Sequence, residues 1–291
     1  MERYKKEEVI HQNNIPARII LQGGPAGEGD TVPHWHQHLE LNLVLCGAVD
    51  FFVSGKEMRV QEGEMILVNS GEIHSGASDR NIDYVELVTV LWDYEFFENY
   101  CSGFSEYLLR LPQDKGITEK IRNTLIEIAA IEYKKEPFYE MEISERLLRI
   151  GYLLLKHCRM EREKEFTLGM DRKVQQMQEA ILYIETHFRE ELHLNDIAGY
   201  MNMSPHYFSR KFREYTGINF YECLTQCRLL HAREELQYAE ESITDIAYNS
   251  GFPNVKSFIV QFRERYHMTP KQYQIDYANK KRNKNAINDN F

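Results

Sequence analysis

Histidine and glutamate side chains recur at every second position in one N-terminal segment of this 291-residue chain. His34, His36, His38 and Glu40 share one parity. If one unbroken strand carries them, all four side chains lie on the same face. Imidazole and carboxylate groups are ligands for Zn, Mn, Fe or Ni, so the segment is a candidate metal or ligand site.

Short runs with strand periodicity surround this segment, from about residue 15 to 92. Leu41, Leu43 and Leu45 alternate with Asn42, Val44 and Cys46, which is a period of two. Further runs lie at 51–53, 58–60, 65–68 and 84–91, and glycines at 47, 55, 63 and 71 separate them. Short strands at such close spacing predict a small antiparallel barrel or sandwich.

The spacing of polar residues and glycines resembles the two motifs of cupin barrels. The first is His34-x-His36-x3-Glu40-x6-Gly47, and the second is Gly63-x5-Asn69-x-Gly71-x2-His74. The resemblance covers roughly residues 20–90, with Asn69 where the second motif usually has proline. It implies a cupin-like barrel and a ligand-binding set made of His34, His36, Glu40 and His74.

Three interpretations of this set stay open at the level of the sequence. Three imidazoles and one carboxylate can bind a divalent metal ion. The same pocket can instead hydrogen-bond an organic ligand, often a sugar, without metal. The cluster can also be purely structural.

A helical period replaces the strand pattern at residues 93–160. The seam formed by Ile143, Leu147, Ile150 and Leu154 repeats at steps of four, three and four. It predicts either a helix packed on its own barrel or a dimer interface. The charged stretch 161–173 is predicted to be a linker, 174–278 a DNA-binding domain, and the polar residues 279–291 a disordered tail.

A degenerate repeat near the C-terminus predicts two helix-turn-helix units. Each copy has an Asp-Ile-Ala triplet and two later phenylalanines four residues apart: 196–198 with Phe208 and Phe212, then 245–247 with Phe258 and Phe262. Asn195 is predicted to cap the first helix, and Ser204, followed by Pro205, the second. Opposite the first two phenylalanines lie His206, Ser209, Arg210 and Arg213, a polar face suited to the major groove.

These segments resemble the AraC/XylS family of transcription regulators. The resemblance rests on SITDIAYNSGFPNVKSFIVQFRERYHMTPKQY at 242–273 and MNMSPHYFSRKFREYTG at 201–217, and it covers about 175–275. It implies two recognition helices in successive major grooves, and a cupin barrel is the sensor usually found ahead of them. The implied DNA-binding residues are Ser204, Pro205, His206, Ser209, Arg210, Arg213, Val255, Lys256, Ser257, Ile259, Val260 and Arg263.

The second unit departs from the family pattern at Ile259 and Val260, where a polar residue and an arginine are common. Apolar side chains can contact a thymine methyl group but cannot read hydrogen-bonding patterns. We therefore predict that the first unit carries most sequence specificity. The second unit is expected to lean on phosphate contacts from Lys256, Ser257 and Arg263.

Charge and composition are compatible with this interpretation. The net charge is −10, but residues from 171 onward contain 16 basic and 16 acidic side chains, so the acidity belongs to the N-terminal part. No run of about 18 apolar residues predicts a membrane span, and the N-terminus lacks the pattern of a secretory signal. Five scattered cysteines are typical of reduced thiols in a cytoplasmic protein.

The sequence therefore predicts an α+β multidomain protein: a cupin-like sensor barrel at 1–92, a helical dimerisation segment at 93–160, and an all-α tandem helix-turn-helix domain. We expect a homodimer that binds double-stranded DNA and responds to a small molecule such as a carbohydrate, with activation favoured by the resemblance. No catalytic residue is predicted. The alternatives are a metal-binding cupin enzyme, an isomerase or dioxygenase, fused to a DNA-binding module, and a constitutive DNA-binding protein with a non-sensing barrel.

Overall fold

The computed structural model describes residues 15–79, 81–161, 164–238 and 241–288. The chain divides into two compact units, and the boundary falls between Gln175 and Gln176. No helix in these ranges is long and apolar enough to span a membrane.

The N-terminal unit is built on two antiparallel sheets. A four-stranded sheet has the order β1-β7-β2-β5, and a three-stranded sheet has the order β4-β3-β6. The strands are β1 (Ala17–Pro25), β2 (Leu39–Cys46), β3 (Ala48–Val53), β4 (Lys56–Gln61), β5 (Met65–Val68), β6 (His74–Ser78) and β7 (Tyr84–Trp92). Val44 and Val85 of the first sheet share a buried cluster with Val49 and Phe51 of the second. The predicted cupin-like barrel is thus confirmed.

The register of the larger sheet decides which side chains face the barrel interior. Arg18 pairs with Leu91, which pairs in turn with Glu40. Directly opposed residues on neighbouring strands point to the same face. The next row of the same parity contains Asn42 and Thr89. The side chains at the alternate positions point to the opposite face of the sheet and are apolar. Leu41 and Val90 are examples, and they pack against the helices of the unit.

Helices cover the outer face of this sheet. They are α1 (Tyr94–Glu98), α2 (Lys115–Lys134) and α3 (Tyr139–His157), and a small two-stranded sheet joins β8 (Tyr107–Leu109) to β9 (Arg159–Glu161). All four seam residues, Ile143, Leu147, Ile150 and Leu154, are completely buried in one core with Ile121 and Leu125 of α2. The seam therefore packs within its own unit, as the first of the two alternatives predicts, and dimerisation through the 93–160 segment stays a prediction.

The C-terminal unit is helical. Its elements are α4 (Lys164–His187), whose first part precedes the unit boundary, α5 (Leu194–Tyr200), α6 (Pro205–Thr216), α7 (Phe220–Tyr238), α8 (Ile243–Asn249), α9 (Val255–Tyr266) and α10 (Pro270–Asn288). The pairs α5/α6 and α8/α9 are the two predicted helix-turn-helix units. The predicted linker at 161–173 is helical from Lys164, and the predicted disordered tail is helical as far as Asn288. Residues 289–291 lie outside the described ranges.

Local capping explains where the DNA-binding helices begin and end. The side chains of Ser204 and Asn254 accept hydrogen bonds from the backbone N–H groups of Tyr207 and Ser257, at 3.3 and 2.8 Å. The predicted cap at Asn195 is wrong, because α5 begins at Leu194 and its N-cap residue is His193. The backbone N–H of His193 donates to the carboxylate of Asp196 at 2.9 Å, and this contact fixes the earlier start.

Candidate functional site

The histidine segment is not one unbroken strand, because β2 begins only at Leu39. An isolated antiparallel bridge positions His34 instead. Its backbone N–H donates to the carbonyl of His74 at 3.0 Å, and the N–H of His74 donates back at 2.9 Å. The loop is thereby tied to the start of β6, which brings two distant parts of the chain to one place.

Four predicted site residues meet inside the barrel. The ligand atoms of His34, His36, Glu40 and His74 all lie within 4.8 Å of one another. His36 Nε2 is 2.9 Å from Glu40 Oε2, and His74 Nε2 is 3.3 Å from the same oxygen. Within the described ranges this is the one group of three or more histidine, cysteine or acidic side chains that converges in this way.

His38 does not join the cluster, although it shares the same parity. Its Nε2 lies 3.2 Å from Asp93 Oδ1, just beyond the end of β7. Parity fails here because residues 31–38 have no regular strand geometry. His38 is therefore a suitable control position for substitutions of the three clustered histidines.

Burial and mutual contact set the charge state of the cluster. Burial, together with the neighbouring His74, lowers the pKa of His34 to about 3, so this imidazole is neutral at pH 7. Burial alone would raise the pKa of Glu40, but hydrogen bonds from His36 and His74 hold it well below its usual range. Burial likewise opposes protonation of His74, yet the contact with Glu40 raises its pKa.

The cluster opens into a cavity of about 330 Å³ between the two sheets. Its lining includes three residues that the sequence did not indicate as functional, Arg18, Asn42 and Thr89. Asn42 Nδ2 donates to Glu40 Oε1 at 2.7 Å, and Thr89 Oγ1 donates to Asn42 Oδ1 at 2.6 Å. Asn42 could have been predicted, because it lies two residues after Glu40 in the same strand and therefore points to the same face. No local sequence pattern indicates that Arg18 or Thr89 lines the cavity.

In the C-terminal unit, α6 separates an apolar face from a polar one. Phe208 and Phe212 are completely buried. The predicted DNA-binding residues on the other side are exposed, except for the half-buried Ser209: Ser204, Pro205, His206, Ser209, Arg210 and Arg213. The guanidinium of Arg210 lies 5.6 Å from the centre of the Tyr207 ring. Its planar donors remain on the solvent side of the helix.

On α9, only some of the predicted DNA-binding residues are exposed. Lys256, Val260 and Arg263 are exposed, whereas Val255 and Ile259 are partly buried against the core of the unit. Ser257 accepts a hydrogen bond from Gln261 Nε2 at 2.7 Å. Val255 and Ile259 therefore offer less side chain to a partner than their predicted base-facing role requires. Val260 keeps about half its surface exposed, at 47%.

Two basic side chains of the helical unit that are not among the predicted DNA-binding residues have partners within the protein. Arg228 donates to the carbonyl groups of Phe188 and Glu190, and Lys211 pairs with Glu214 at 2.7 Å. In the described part of the chain, Arg213, Lys256 and Arg263 have no ion pair. The two faces thus present cations that are not neutralised within the protein, which is the footprint expected for phosphate contacts.

Two family models match the chain over the parts described above. Residues 27–150 match an AraC-like ligand binding domain, and residues 197–275 match a helix-turn-helix domain. The first match contains the barrel cluster and α2 with most of α3, and the second contains α6 and α9.

Individual relatives are named as regulators. An uncharacterized HTH-type transcriptional regulator of Staphylococcus aureus strain COL is 25% identical over 82% of this chain and 31% of its own length. The regulatory protein PocR of Salmonella typhimurium is 33% identical over 43% of this chain and 42% of its own length. The chain thus spans about a third of the first relative and less than half of the second.

A solved structure is similar to about a third of the chain. The C-terminal domain of AraT, a response regulator from Geobacillus stearothermophilus, is 32% identical, with a TM-score of 0.34, over 35% of this chain and 84% of that domain.

Proposed function

We propose that this chain, which belongs to the AraC family of transcription regulators, binds double-stranded DNA sequence-specifically and regulates transcription in response to a small molecule held in its barrel. The family membership rests on the two models, which together match the ligand-binding and helix-turn-helix parts. The observation that carries DNA binding is the exposed cationic face of α6, opposite two buried phenylalanines.

The two helices have different roles in this proposal. Arg210, near the middle of α6, makes a bidentate contact with guanine, which supplies discrimination between sequences. His206 and Ser209 lie on the same side of α6 and reach base edges nearby. In α9, Lys256 and Arg263 contact phosphates, while the exposed part of Val260 can touch a thymine methyl group.

The barrel is the sensor in this proposal. Its cavity of about 330 Å³ lies within the range of small-molecule sites. A small molecule near His36, Glu40 and His74 regulates DNA binding if its affinity differs between the DNA-bound and free forms of the protein. We propose activation as the direction of control and a carbohydrate as one class of effector, since the family resemblance favours both.

We also propose that two copies form a homodimer through the outer face of α3, because the seam itself is buried. Met141, Leu148 and Tyr152 form an exposed apolar stripe there, at 74%, 44% and 56% exposure. In an antiparallel pair, the first half of one α3 faces the second half of the other. Met141 then meets Leu148, and Glu140 approaches Arg149, so the face is complementary to itself.

Sedimentation velocity tests the dimer. Leu148→Glu places a charge in the stripe and is expected to convert the dimer to monomer. Tyr133→Glu, at an 85% exposed position of α2, is the matched control and should sediment as the unmodified chain does. If both variants sediment as the unmodified chain does, the outer face of α3 is not the dimer interface.

The proposed role is regulatory and cytoplasmic rather than catalytic. The two family models describe a ligand-binding domain and a helix-turn-helix domain, and both relatives are named as regulators.

Selection from a random double-stranded DNA library tests the proposed function. The full chain is expected to enrich one sequence motif over successive rounds. A variant with Arg210→Ala and Arg213→Ala should enrich none, while Lys271→Ala, which removes a cation from α10, should enrich the same motif. A folded wild-type chain that enriches no motif would refute sequence-specific binding.

A further inference from the structure

Arg228, in the middle of α7, holds the chain where α4 ends. Its Nε and Nη2 atoms donate hydrogen bonds to the backbone carbonyls of Phe188 and Glu190, each at 2.8 Å. These carbonyls follow the last residue of α4, His187, so the helix itself has no further turn that could supply donors. The guanidinium therefore caps the end of α4 from a neighbouring helix.

Two more side chains of α7 contact the same segment. The ring of His231 stacks on that of Phe188, with centroids 4.1 Å apart and planes 9° apart. Glu235 Oε1 lies 3.8 Å from Arg189 Nη2. Positions 228, 231 and 235 are three and four residues apart, so they lie on one face of the helix. This face of α7 thus holds three successive residues after α4.

The turn of the second helix-turn-helix unit packs on these residues as well. Arg189 Nε donates to the carbonyl of Asn249, the last residue of α8, at 3.1 Å. A Cβ on Gly251 would lie 2.5 Å from the carbonyl oxygen of Phe188 and 3.0 Å from Arg228 Nε. Glycine is needed there because the two backbones approach so closely. We call these contacts the clasp, which consists of residues 188–190, Arg228 and the 249–251 turn.

The clasp lies between the two DNA-binding units. The first unit begins with α5 at Leu194, four residues after Glu190, and the second contains the 249–251 turn between α8 and α9. Along the chain the units are joined by α7, whose 19 residues extend for about 28 Å. Because a helix of this length can bend, a second connection beside it restricts how α6 and α9 tilt relative to each other.

We propose that the clasp fixes the orientation of α9 relative to α6, so that both recognition helices bind one DNA duplex at the same time. Arg228 and Arg189 are positioning residues in this inference, which rests on the proposed DNA binding. Once α6 is bound, α9 docks in an intramolecular step, and its equilibrium depends on how well α9 is already oriented. Loss of the clasp therefore weakens the contacts of α9 and leaves those of α6 intact.

Hydroxyl-radical footprinting of the selected duplex at saturating protein separates the contacts of the two helices. The unmodified full chain is expected to protect two windows about one helical turn apart, and the window that Lys256→Ala weakens belongs to α9. Arg228→Ala should lower the docking equilibrium of α9 by about tenfold or more, the effect of one charge-assisted hydrogen bond. The α6 window should stay protected, which also shows that the variant is folded.

A surface variant and a matched control accompany Arg228→Ala. Arg189→Ala changes a side chain that is 60% exposed, and it should weaken the same window by a smaller factor. Arg172→Ala removes the same charge from an exposed position in the first part of α4 and should leave both windows protected. Equal weakening of both windows in Arg228→Ala, or the same losses in Arg172→Ala, would overturn the clasp.

A double-mutant cycle gives a readout that a merely structural role would not move. Lys256→Ala removes a phosphate contact of α9 and should weaken DNA binding by the unmodified chain. In the Arg228→Ala background its effect should be smaller, because α9 is docked for less of the time. Additive losses in the two single variants and the double variant would mean that Arg228 does not act through α9.

Hydrogen exchange of the DNA-free chain tests the clasp independently of DNA. Backbone amides at 188–193 and 249–252 should exchange faster in Arg228→Ala than in Arg172→Ala, whereas those of α6 should exchange at the same rate in both. Unchanged exchange in Arg228→Ala would overturn the clasp. A chain that shows this exchange pattern but protects no DNA refutes the proposed function, and one whose variants all protect both windows refutes only the clasp.

Discussion

His34 and His74 are joined backbone to backbone, each N–H donating to the other's carbonyl, at 3.0 and 2.9 Å. Their rings consequently lie with centroids 4.2 Å apart. The bridge holds a loop without regular structure against the start of β6. It brings together residues that are 40 positions apart in the chain, and it is the reason that three imidazoles and one carboxylate meet inside the barrel.

Asn42 connects this cluster to the sheet, and its loss should destabilise the N-terminal unit. Asn42→Ala leaves Glu40 Oε1 and Thr89 Oγ1 without their buried partner. We expect the free energy of unfolding to fall by about 1–3 kcal/mol, as measured by urea denaturation. Asn81→Ala, at an exposed asparagine, should change it by less than about 0.5 kcal/mol. Similar values for both variants would mean that the Asn42 contacts do not stabilise the fold.

Leu147 tests the conclusion that the seam of α3 is core. Its side chain is completely buried, so Leu147→Ala should lower the free energy of unfolding by about 2–5 kcal/mol. Ile126→Ala on α2, where the side chain is 46% exposed, should cost less than about 1 kcal/mol. Both values come from chemical denaturation. A small loss at Leu147, accompanied by dissociation of a dimer, would restore the seam as an interface.

Two glycines of the helical unit should respond in opposite directions to alanine. Gly251 has a φ of +80°, and an added Cβ would lie 2.5 Å from the carbonyl oxygen of Phe188. Gly251→Ala should therefore cost at least about 2 kcal/mol. Gly199 in α5 has no atom within 4 Å of such a Cβ, and Gly199→Ala should stabilise the unit by up to about 1 kcal/mol. Thermal unfolding of the two variants checks the pair, and destabilisation by both would contradict it.

Arg210 and Lys256 should affect DNA binding in different ways. Arg210→Ala removes a bidentate reader of guanine and should lower affinity for the selected site by about 1–3 kcal/mol, with little change on random DNA. Lys256→Ala removes a phosphate contact, so it should weaken binding to both DNAs alike and reduce the salt dependence by about one charge. Fluorescence anisotropy at several salt concentrations measures both effects. Equal losses on selected and random DNA for both variants would refute the division of roles.

Much of the fold was predictable because it depends on local signals. Ser204 before Pro205 marks the start of α6, and paired phenylalanines four residues apart mark the buried faces of α6 and α9. His267, the residue that ends α9, adopts a left-handed conformation with a φ of +57°, which histidine tolerates at modest cost. Each of these features depends on residues within one or two helical turns.

The features that could not be predicted depend on distant pairing. Parity placed His38 with the cluster, but the strand begins one residue later and His38 turns to Asp93. Arg18 faces the cavity only because β7 lies between β1 and β2, and no local pattern reveals that order. The seam of α3 has the same spacing whether its partner is α2 or a second copy of the chain.

Sequence-specific DNA binding is tested most directly by comparing the affinity of the full chain for two DNA duplexes at one salt concentration. One duplex carries the site selected from the random library, and the other carries the same bases in scrambled order. We expect the selected site to bind at least about 1,000-fold more tightly than the scrambled one. A ratio close to one, obtained with folded protein, would contradict sequence-specific DNA binding.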